Sequence, residues 1–475
     1  MANAKHDFRS AAAEALADRS LQKALHNVKR GFVSKREAAK AKLPEFDTLR
    51  EEARAIKDHT LSHLDLYLEA YERKVTECGG QVHYAPGAAD ARAVVLRLCE
   101  EVNAKLVTKG KSMVSEEIGL NEHLKAAKIE VVETDLGEYI VQLRGERPSH
   151  IIAPVIHLNR ESIELEFRRK HERLKRDRRL DQAQYLVAEA RALLREKFLA
   201  ADVGITGANL LIAETGSSVI VTNEGNGDLT ETLPRMHIVI ASIEKIVPTL
   251  EDASTILRLL ARSATGQEIT TYTTFATGPR RDTDPDGPTQ YHVVLLDNGR
   301  SEMLSNEFAD MLRCIRCGAC LNHCPVYGAI GGHAYGSIYP GPMGAVLTPQ
   351  LAGIDRARDL PLASSLCGRC EEVCPMDIPL PDMMRAWRER DFARGNPPRA
   401  ERRLLKLWAY AAKRPRLYHA LAGLFARYLV RRAGARGRLS RLPLMQAWMS
   451  LRDLPAPEGK TFHQLHSRMK AKDRP

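Results

Sequence analysis

Seven of the nine cysteines lie in one stretch of the chain and follow a metal-binding pattern. The segment CIRCGACLNHCP spaces Cys314, Cys317, Cys320 and Cys324 as C-x2-C-x2-C-x3-C-P. This arrangement is found in bacterial proteins with two cubane iron–sulfur clusters. Three thiolates two residues apart can surround one cluster, because the short loops turn the backbone around it. The fourth cysteine, followed by Pro325, then binds the other cluster.

A second, shorter motif completes the pattern. The segment CGRCEEVCP supplies Cys367, Cys370 and Cys374, and it is again closed by a proline, Pro375. Zinc also favours paired C-x2-C motifs, but a run of four cysteines and a second Cys-Pro motif match two cubanes better. We therefore predict two iron–sulfur clusters, most simply two [4Fe–4S] clusters. The predicted ligands are Cys314, Cys317, Cys320 and Cys374 for the first cluster, and Cys324, Cys367 and Cys370 for the second.

The second ligand set is one residue short. A complete second motif would have a cysteine three residues before Cys367, where this chain has Ser364. The second site therefore holds either a [3Fe–4S] cluster or a [4Fe–4S] cluster whose fourth iron takes Ser364, Ser365, water or an atom of a partner. The two other cysteines, Cys78 and Cys99, lie far upstream, and we interpret them as small buried hydrophobic residues.

The elements that position these motifs differ along the chain. Residues 1–75 space apolar residues at three and four, which predicts helices. Over residues 76–300 strands and helices alternate, which is typical of an α/β domain with a mostly parallel sheet. Residues 301–390 hold the cysteine motifs, and residues 391–475 again favour helices, interrupted by prolines. The predicted elements of the α/β part include a long helix over Gln182–Leu199 and strands at Tyr139–Leu143, His150–Ile156, Leu210–Thr222 and His237–Ile243.

Polar segments at predicted strand ends are candidates for a small-anion site. TKGKSMVSEE places Lys109 and Lys111 just before a helix, while AETGSS and TNEGNGD combine Glu214 and Glu224 with glycines whose amides can meet an anion. One interpretation is a hydroxy-acid pocket in which Lys109 binds the carboxylate and Glu214 or Glu224 acts as a base. The alternative is that these segments are turns, with NEGNGD a hairpin turn. The chain has no dinucleotide fingerprint or P-loop, so a nucleotide cofactor is not predicted.

The charge of the chain is concentrated at one end. From Arg399 onward there are 19 Lys and Arg residues against 4 Asp and Glu, whereas the rest of the chain has 52 against 56. Such a tail suits nucleic acid, a subunit with an acidic surface, or an anionic membrane surface. No nucleic-acid-binding motif accompanies the charge. We therefore expect the basic tail to bind a partner subunit, or a membrane face at which a quinone or another electron acceptor is located.

The sequence also indicates the cellular compartment and the role of two histidines. The chain begins without a secretory-signal pattern, and its longest apolar run, Leu417–Val430, is too short to span a bilayer. We expect a cytoplasmic protein, whose reducing surroundings favour metal ligation over disulfides. His323 and His333 flank the cysteine motif, and we interpret both as structural.

The cysteine module with its SSLCG lead-in, together with the upstream stretch TGANLLIAETGSSVIVTNEGN (206–226), resembles the lactate utilization protein B family. That family supplies the iron–sulfur subunit of a bacterial three-subunit system that oxidises L-lactate to pyruvate. The resemblance covers nearly the whole chain. It implies an α/β domain related to sugar-isomerase and coenzyme A transferase folds, an α-helical dicluster ferredoxin domain and a family-specific C-terminal segment. Since the family pattern also has seven cysteines here, the gap at Ser364 is a family trait.

The resemblance also implies partners. These are a cysteine-rich subunit like those of heterodisulfide reductases and a smaller subunit that shares the α/β domain. We therefore expect an electron-transfer subunit of an L-lactate dehydrogenase complex, which does not act as an enzyme by itself. In a first alternative, the α/β domain is itself the catalyst and the clusters are its electron outlet. In a second, the protein is a redox-sensing regulator whose basic tail binds nucleic acid.

Overall fold

The computed structural model describes residues 6–175, 177–442, 449 and 452–472. They form two compact units, one ending at Asp391 and the other beginning at Phe392. The first unit contains every cysteine of the chain, and the second contains the basic C-terminal segment.

Most strands belong to two sheets of the first unit. The larger sheet has six parallel strands in the spatial order β1-β10-β7-β4-β2-β3, and the smaller has four in the order β8-β5-β6-β9. The strands in chain order are β1 (Gln81–Ala85), β2 (Leu106–Gly110), β3 (Glu130–Glu133), β4 (Val203–Gly207), β5 (Leu210–Ile212), β6 (Ser217–Thr222), β7 (Met236–Ser242), β8 (Ile246–Val247), β9 (Tyr272–Ala276), β10 (Gln290–Leu296), β11 (Arg438–Leu439) and β12 (Leu454–Pro455).

The parallel sheet confirms the predicted α/β class. Every residue of β2, β4 and β7 is buried, as expected for parallel strands that are covered on both faces. The predicted strand at His237–Ile243 corresponds to β7, and the predicted run Leu210–Thr222 is a hairpin of β5 and β6. Gly216 closes that hairpin with a φ of 71°, a conformation that favours glycine.

The helices cover the larger sheet and build the rest of the chain. Short 3-10 turns and one π-helical stretch, Lys29–Val33, connect some of them. The α-helices are α1 (Phe8–Ala17), α2 (Arg19–Val28), α3 (Ser34–Ala41), α4 (Phe46–Ser62), α5 (Leu64–Glu77), α6 (Ala88–Glu101), α7 (Met113–Ile118), α8 (Leu120–Ala126), α9 (Leu136–Arg144), α10 (Arg160–Lys170), α11 (Ala183–Ala200), α12 (Asn226–Thr232), α13 (Leu250–Ala264), α14 (Arg300–Met303), α15 (Ala319–His323), α16 (Tyr327–Ile330), α17 (Gly341–Ala352), α18 (Ile354–Ala357), α19 (Asp359–Leu362), α20 (Arg369–Glu372), α21 (Leu380–Ala393), α22 (Arg399–Ala412), α23 (Pro415–Ala433) and α24 (Phe462–Lys472).

Two predicted strands are wrong. Tyr139–Leu143 belongs to helix α9, because Asp135 caps its start by accepting bonds from the amides of Gly137 and Glu138, and Gly145 ends it in the left-handed conformation. Capping signals therefore outweigh the few β-branched residues of this segment.

The second wrong strand is His150–Ile156, which is a loop. The Ser149 amide donates to the Pro154 carbonyl (2.9 Å), and His150 Nδ1 accepts from the amides of Ile152 (3.1 Å) and Ala153 (3.2 Å). These bonds close the backbone on itself, so its amides are unavailable for a sheet. The segment NEGNGD is also not a hairpin turn, because helix α12 begins within it at Asn226.

The N-terminal helices share a core with the cysteine region. Phe46 and Leu49 of α4 belong to the same buried apolar cluster as Phe308, Leu312 and many residues around the cysteine motifs. Residues of β5, β6 and α13 also join this cluster. The helical start of the chain therefore helps to hold the cysteine motifs against the α/β domain.

The second unit is helical with a small core. Leu429 and Ala433 of α23 are buried with Leu439, while every residue of α22 is at least partly exposed. Leu407 and Trp408 of α22 are more than half exposed, at 67% and 62%. Among the described residues, the helices are all too short or too polar to cross a membrane.

Candidate iron–sulfur centre and adjoining cavity

Four of the predicted ligands line one small cavity inside the first unit. Cys314, Cys317, Cys320 and Cys374 lie on its wall, together with apolar residues such as Met343. All of them except Cys314 are buried, and Cys314 is partly exposed. Thiols from both motifs therefore face the same space, as the crossing pattern requires.

The chemistry of these four thiols fits a metal cluster. Burial, with Cys374 as the next largest cause, raises the pKa of Cys317 to about 12, and burial raises the pKa of Cys374 to about 11. Thiols so buried and so close together lose their protons readily only when a bound cation takes up the charge. The amides of Met376 and Ile378 face Cys374 and stabilise its thiolate form. The donor set is thus that of a thiolate-bound cluster.

The other three predicted ligands form a second group. The thiol of Cys324 interacts electrostatically with that of Cys367, and Cys370 interacts with both. Cys324 and Cys370 are buried, whereas Cys367 is exposed. The second group therefore reaches the surface. Cys320 of the first group also interacts electrostatically with Cys370, so the two groups adjoin, and the assignment of ligands to each cluster stays a prediction.

The two motifs share a backbone conformation. Arg316 and Gly318 flank a cysteine of the first motif with φ angles of 60° and 73°, and Leu366 and Gly368 flank a cysteine of the second with 53° and 82°. Left-handed residues on both sides turn the chain around the sulfur atom. Arg316 and Leu366 accept this conformation although they are not glycines, which indicates that the loops are held firmly in place.

Ser364 stands where this repeat has Cys314 in the first motif. Its Oγ accepts a hydrogen bond from the Leu366 amide (3.1 Å), and its carbonyl accepts one from Arg388 Nη2 (2.9 Å). Ser364 is partly exposed and Ser365 is exposed. The fourth position of the second group is therefore close to solvent.

Cations from the N-terminal helices approach the end of the second motif. Arg50 Nε donates to the Cys374 carbonyl (2.7 Å), and Arg36 Nη2 donates to the Val373 carbonyl (2.8 Å). Arg36 also interacts electrostatically with the thiols of Cys317 and Cys374. These contacts link helices α3 and α4 to the buried thiol group.

Three further cations lie near Cys314. Lys57, Lys245 and Arg316 all interact electrostatically with its thiol. The ammonium of Lys57 is satisfied, because Nζ donates to the carbonyls of Glu244 and Ile246. Positive charge beside a cluster favours electron uptake, since reduction adds negative charge.

A larger cavity of about 160 Å³ lies at the carboxyl ends of the parallel strands. Residues that follow β2, β3, β4 and β7 line it, namely Lys111, Asp135, Ala208, Asn209 and Lys245. Ligands of open α/β sheets bind at this edge. Ile151 and Arg316 line both this cavity, named the strand-end cavity here, and the cavity with the four thiols. The two spaces are therefore neighbours.

On one side of the strand-end cavity, Lys111 is paired with carboxylates. Lys111 Nζ lies 2.5 Å from Asp135 and 3.4 Å from Glu224. The Lys111 amide donates to Glu138 (3.3 Å), and burial followed by the charges of Glu133 and Asp135 raises the pKa of Glu138 well above its usual value. Lys111 therefore adds no free positive charge on this side.

The other side has positive charge without a matching partner. Lys245 is 6% exposed, and its Nζ has no hydrogen bond or ion pair with any residue that the structure describes. Burial, followed by the charge of Arg316, lowers its pKa to about 8. Arg316 Nη2 bonds Glu244 (3.2 Å), but within the described residues its buried Nη1 has no partner. Both cations face the cavity.

Lys109, the residue predicted to bind a carboxylate, lies elsewhere. It is 1% exposed, and its Nζ contacts Ser115 (2.8 Å), Glu116 (2.6 Å) and Glu133 (2.8 Å). Burial disfavours its charge, but the carboxylates of Glu116 and Glu133 outweigh that effect and raise the pKa of Lys109. Lys109 is absent from the lining of the strand-end cavity, and its bonds are those of a buried ion-pair network.

The two predicted bases are exposed. Glu214 accepts a bond from the Leu250 amide (3.3 Å) near the start of α13, a helix-capping contact. Glu224 is exposed and pairs with Lys111 (3.4 Å) at the cavity rim. Of the three suggested catalytic residues, Glu224 is thus the one that approaches the strand-end cavity, while the structure does not bring Lys109 and Glu214 to it.

Sequence reasoning missed Lys245 and Arg316. Arg316 stands inside the first C-x2-C motif, and Lys245 follows β7 by three residues. The position of Lys245 at the carboxyl end of a buried strand was a usable signal. Their convergence depends on how the cysteine region docks on the sheet, which no local pattern encodes.

The remaining candidates have structural contacts. His323 Nδ1 donates to the Ala319 carbonyl (2.8 Å), and His333 Nε2 donates to the Arg147 carbonyl (2.7 Å). Cys99 is buried and Cys78 partly buried. Burial raises the pKa of Cys99 to about 12, so it remains a neutral thiol.

Family models match three successive parts of the chain. The LUD domain matches residues 68–296, the 4Fe-4S dicluster domain matches residues 310–378, and the C-terminal region of lactate utilisation protein B matches residues 385–471. The middle match covers all seven cysteines of the two groups.

Full-length relatives are similar over almost the entire chain. An uncharacterized electron transport protein, YkgF, of Escherichia coli is 42% identical over 98% of both chains. Lactate utilization protein B of Bacillus pumilus is 41% identical over 96% of both chains, and that of Macrococcus caseolyticus is 43% identical over 90% of both. This chain belongs to the lactate utilization protein B family.

Proposed function

We propose that this chain is the iron–sulfur electron-transfer subunit of a complex that oxidises L-lactate to pyruvate. The observation that carries the proposal is the pair of cysteine groups, one buried beside the strand-end cavity and one reaching the surface at Cys367. The names of the relatives support lactate utilisation and electron transport as the setting.

Cys314, Cys317, Cys320 and Cys374 would hold a [4Fe–4S] cluster, and Cys324, Cys367 and Cys370 a second [4Fe–4S] or a [3Fe–4S] cluster. When bound, such clusters store and release one electron at a time, which suits the stepwise acceptance of the two electrons of lactate. Three of the four cysteines of the first site are buried, and Arg36, Arg50 and Lys57 supply positive charge beside it. The exposed Cys367 side gives a partner's redox centre a short approach.

Two partner subunits complete the proposed complex: a cysteine-rich subunit of the heterodisulfide reductase type and a smaller subunit with a LUD-type domain. Mixing the cluster-loaded chain with both subunits and L-lactate under anaerobic conditions tests this. We expect the cluster absorbance to bleach only when the subunits are present together. Bleaching of the complete mixture by D-lactate but not by L-lactate would refute the proposal. Absence of bleaching when the complete mixture receives L-lactate would also refute it.

A second candidate function rests on the strand-end cavity. In it, the α/β domain binds the hydroxy acid itself, and the clusters are its electron outlet. The position of the cavity at the binding edge of the sheet, next to the four thiols, favours this idea. Lactate-dependent reduction of the isolated chain would support it, and strict dependence on the partner subunits would exclude it.

The C-terminal unit is proposed to dock a partner or an anionic membrane. Helices α22 and α23 expose apolar side chains between basic ones, including Leu404, Trp408, Leu424 and Phe425. An amphipathic helix with Lys and Arg around an apolar face is suited to either surface. Replacing Leu404 and Trp408 by Glu should abolish complex assembly or vesicle binding without changing cluster content. Unchanged assembly and vesicle binding would disprove docking through this face.

A further inference from the structure

We infer that the strand-end cavity binds a small carboxylate anion through Lys245 and Arg316, directly beside the buried cysteine group. The inference rests on the proposed function only in taking lactate and pyruvate as the carboxylates to test. The site itself follows from charge, burial and position.

Lys245 carries a charge that lacks a partner among the described residues. A buried ammonium without a hydrogen bond is costly, yet Lys245 is 6% exposed and unpaired within the part of the chain that the structure describes. Lys57, which is buried nearby, shows the usual solution, since its Nζ donates to two carbonyls. An anion in the cavity would satisfy Lys245 in the same way.

Arg316 offers a second donor to the same anion. Its Nη2 bonds Glu244 (3.2 Å) and its guanidinium lies over the Tyr339 ring at 4.9 Å, so its plane is fixed. Its Nη1 is buried without a partner among the described atoms. A fixed guanidinium with a free N–H is suited to an oxygen of a carboxylate.

The carboxylates near Lys245 are too few to balance the positive charge around it. Glu244 is shared, since Arg300 Nε lies 3.0 Å from it while Arg316 contacts its other oxygen. Arg300 is further paired with Glu117 (2.7 Å). With Lys57 and Lys245, four cations therefore surround these two acids, and Lys245 is the one without a hydrogen bond or ion pair among the described residues.

The size and lining of the strand-end cavity indicate the kind of ligand. The cavity is about 160 Å³, and its lining includes apolar residues such as Ile151, Ile152 and Val221 besides the two cations. A small anion with a short carbon chain fits such a lining better than a polyanion. On the opposite side, Lys111, Asp135 and Glu138 are bonded to one another, so they place polar groups there without adding net positive charge.

A different explanation is that Lys245 and Arg316 only compensate the charge of a cluster held by Cys314 and its neighbours. The two explanations differ in one measurable respect. If the cations serve the cluster alone, replacing them alters its reduction potential but no carboxylate binds. If they form a carboxylate site, their loss weakens binding, whereas the loss of Lys57 does not.

The experiment uses the full chain with its clusters assembled anaerobically. Pyruvate and L-lactate are titrated calorimetrically into the wild type, Lys245→Gln, Arg316→Gln and the control Lys57→Gln, with inorganic phosphate as a second probe. We expect saturable carboxylate binding that weakens at least about tenfold, or about 1.4 kcal/mol, in the first two variants. The affinity of Lys57→Gln for carboxylate is expected to stay within about twofold of the wild type, because Lys57 is not part of the cavity lining.

A steric variant keeps the inference testable if a charge variant loses its clusters. Ala264→Leu fills the cavity from helix α13 and leaves every charge in place. We expect it to abolish binding while iron content and the visible spectrum stay unchanged. Carboxylate binding in this variant at wild-type affinity would overturn the inference.

Other outcomes also decide the matter. Absence of carboxylate binding by the wild type, binding of phosphate alone, or equal losses in Lys245→Gln and Lys57→Gln would each overturn the site. If the isolated chain binds no carboxylate while the complete mixture is still reduced by lactate, the inference fails and the proposed function stands. If carboxylate binds but the mixture is not reduced, the proposed function fails and the site stands.

Discussion

Arg50 Nε donates a hydrogen bond of 2.7 Å to the backbone carbonyl of Cys374, which joins an N-terminal helix to a predicted cluster ligand. The same guanidinium lies 2.5 Å from Asp377, two residues past the closing proline. The end of the second motif is therefore held in place by a helix from the beginning of the chain.

Replacing Arg50 should loosen this motif. We expect Arg50→Gln to lower the free energy of unfolding by about 1.5–3 kcal/mol, because it removes charged hydrogen bonds at a partly buried position. It should also lower the reduction potential of the first cluster, since positive charge beside it is lost. Urea unfolding and a redox titration by EPR measure the two effects.

Arg54 is the matched control, because it pairs with the carboxylates of Asp377 (2.7 Å) and Asp58 (3.6 Å) and its side chain is 46% exposed. Arg54→Gln should cost less than about 1 kcal/mol. Equal losses in the two variants would show that the carbonyl of Cys374 is not what makes Arg50 important.

Lys109 should prove structural. Lys109→Met leaves the buried Glu133 without its countercharge, and we expect a loss of about 3–5 kcal/mol in unfolding free energy. Lys197→Met breaks an exposed ion pair (2.6 Å) with Glu130, which lies on strand β3 as Glu133 does. This variant should lose under about 1 kcal/mol of unfolding free energy. Pyruvate binding that disappears in a fully folded Lys109→Met variant would instead restore Lys109 as a ligand residue.

Glu231 should make stability depend on pH. Burial, with a smaller effect of Asp228, raises its pKa from 4.5 to about 8, so the folded state holds the proton more tightly than the unfolded state. This contribution is fully present below about pH 4.5 and is lost as the pH rises from about 4.5 to about 8. The total is on the order of 5 kcal/mol.

Glu231→Gln keeps the shape of the neutral acid and should remove this dependence. We expect the variant to match the wild type at pH 4 and to be more stable at pH 8, measured by urea unfolding at both pH values. The opposite order at pH 8 would mean that Glu231 is charged and paired in the folded protein.

Ser364 should limit the stability of the second cluster. Ser364→Cys supplies a thiol at the position that Cys314 has in the first motif, so we expect iron loss to a chelator to slow several-fold. Ser365→Cys adds a thiol one residue away, at an exposed position outside the repeat, and should change little. Equal protection by both variants would argue against a specific fourth position at Ser364.

Some of this site could be predicted from sequence, because the information is local. The parallel sheet follows from buried apolar runs between helices, and the proposed division of the seven cysteines rests on equally short spacings. Lys109 shows where local reasoning ends. It precedes a helix, as an anion-binding residue would, but its strand places it opposite Glu133 in the β2–β3 register.

Tertiary relations explain the other errors. The loop at His150 resembles a strand in composition, yet the His150 ring is buried and bonds Asn322 (3.1 Å) of the cysteine region. Lys245 and Arg316 are 71 positions apart in number and meet only when that region docks on the sheet. Neither contact has a signature in a single sequence.

The seven cysteines are predicted to form two separate cluster sites. Iron and sulfide content with EPR spectra of the wild type, Cys374→Ala and Cys370→Ala tests this prediction most directly. We predict about eight irons in the wild type, or about seven with an oxidised three-iron signal. Cys374→Ala should then disturb only the first cluster's signal, and Cys370→Ala only the second's. Loss of the same signal in both variants, or zinc in place of iron, would contradict the account.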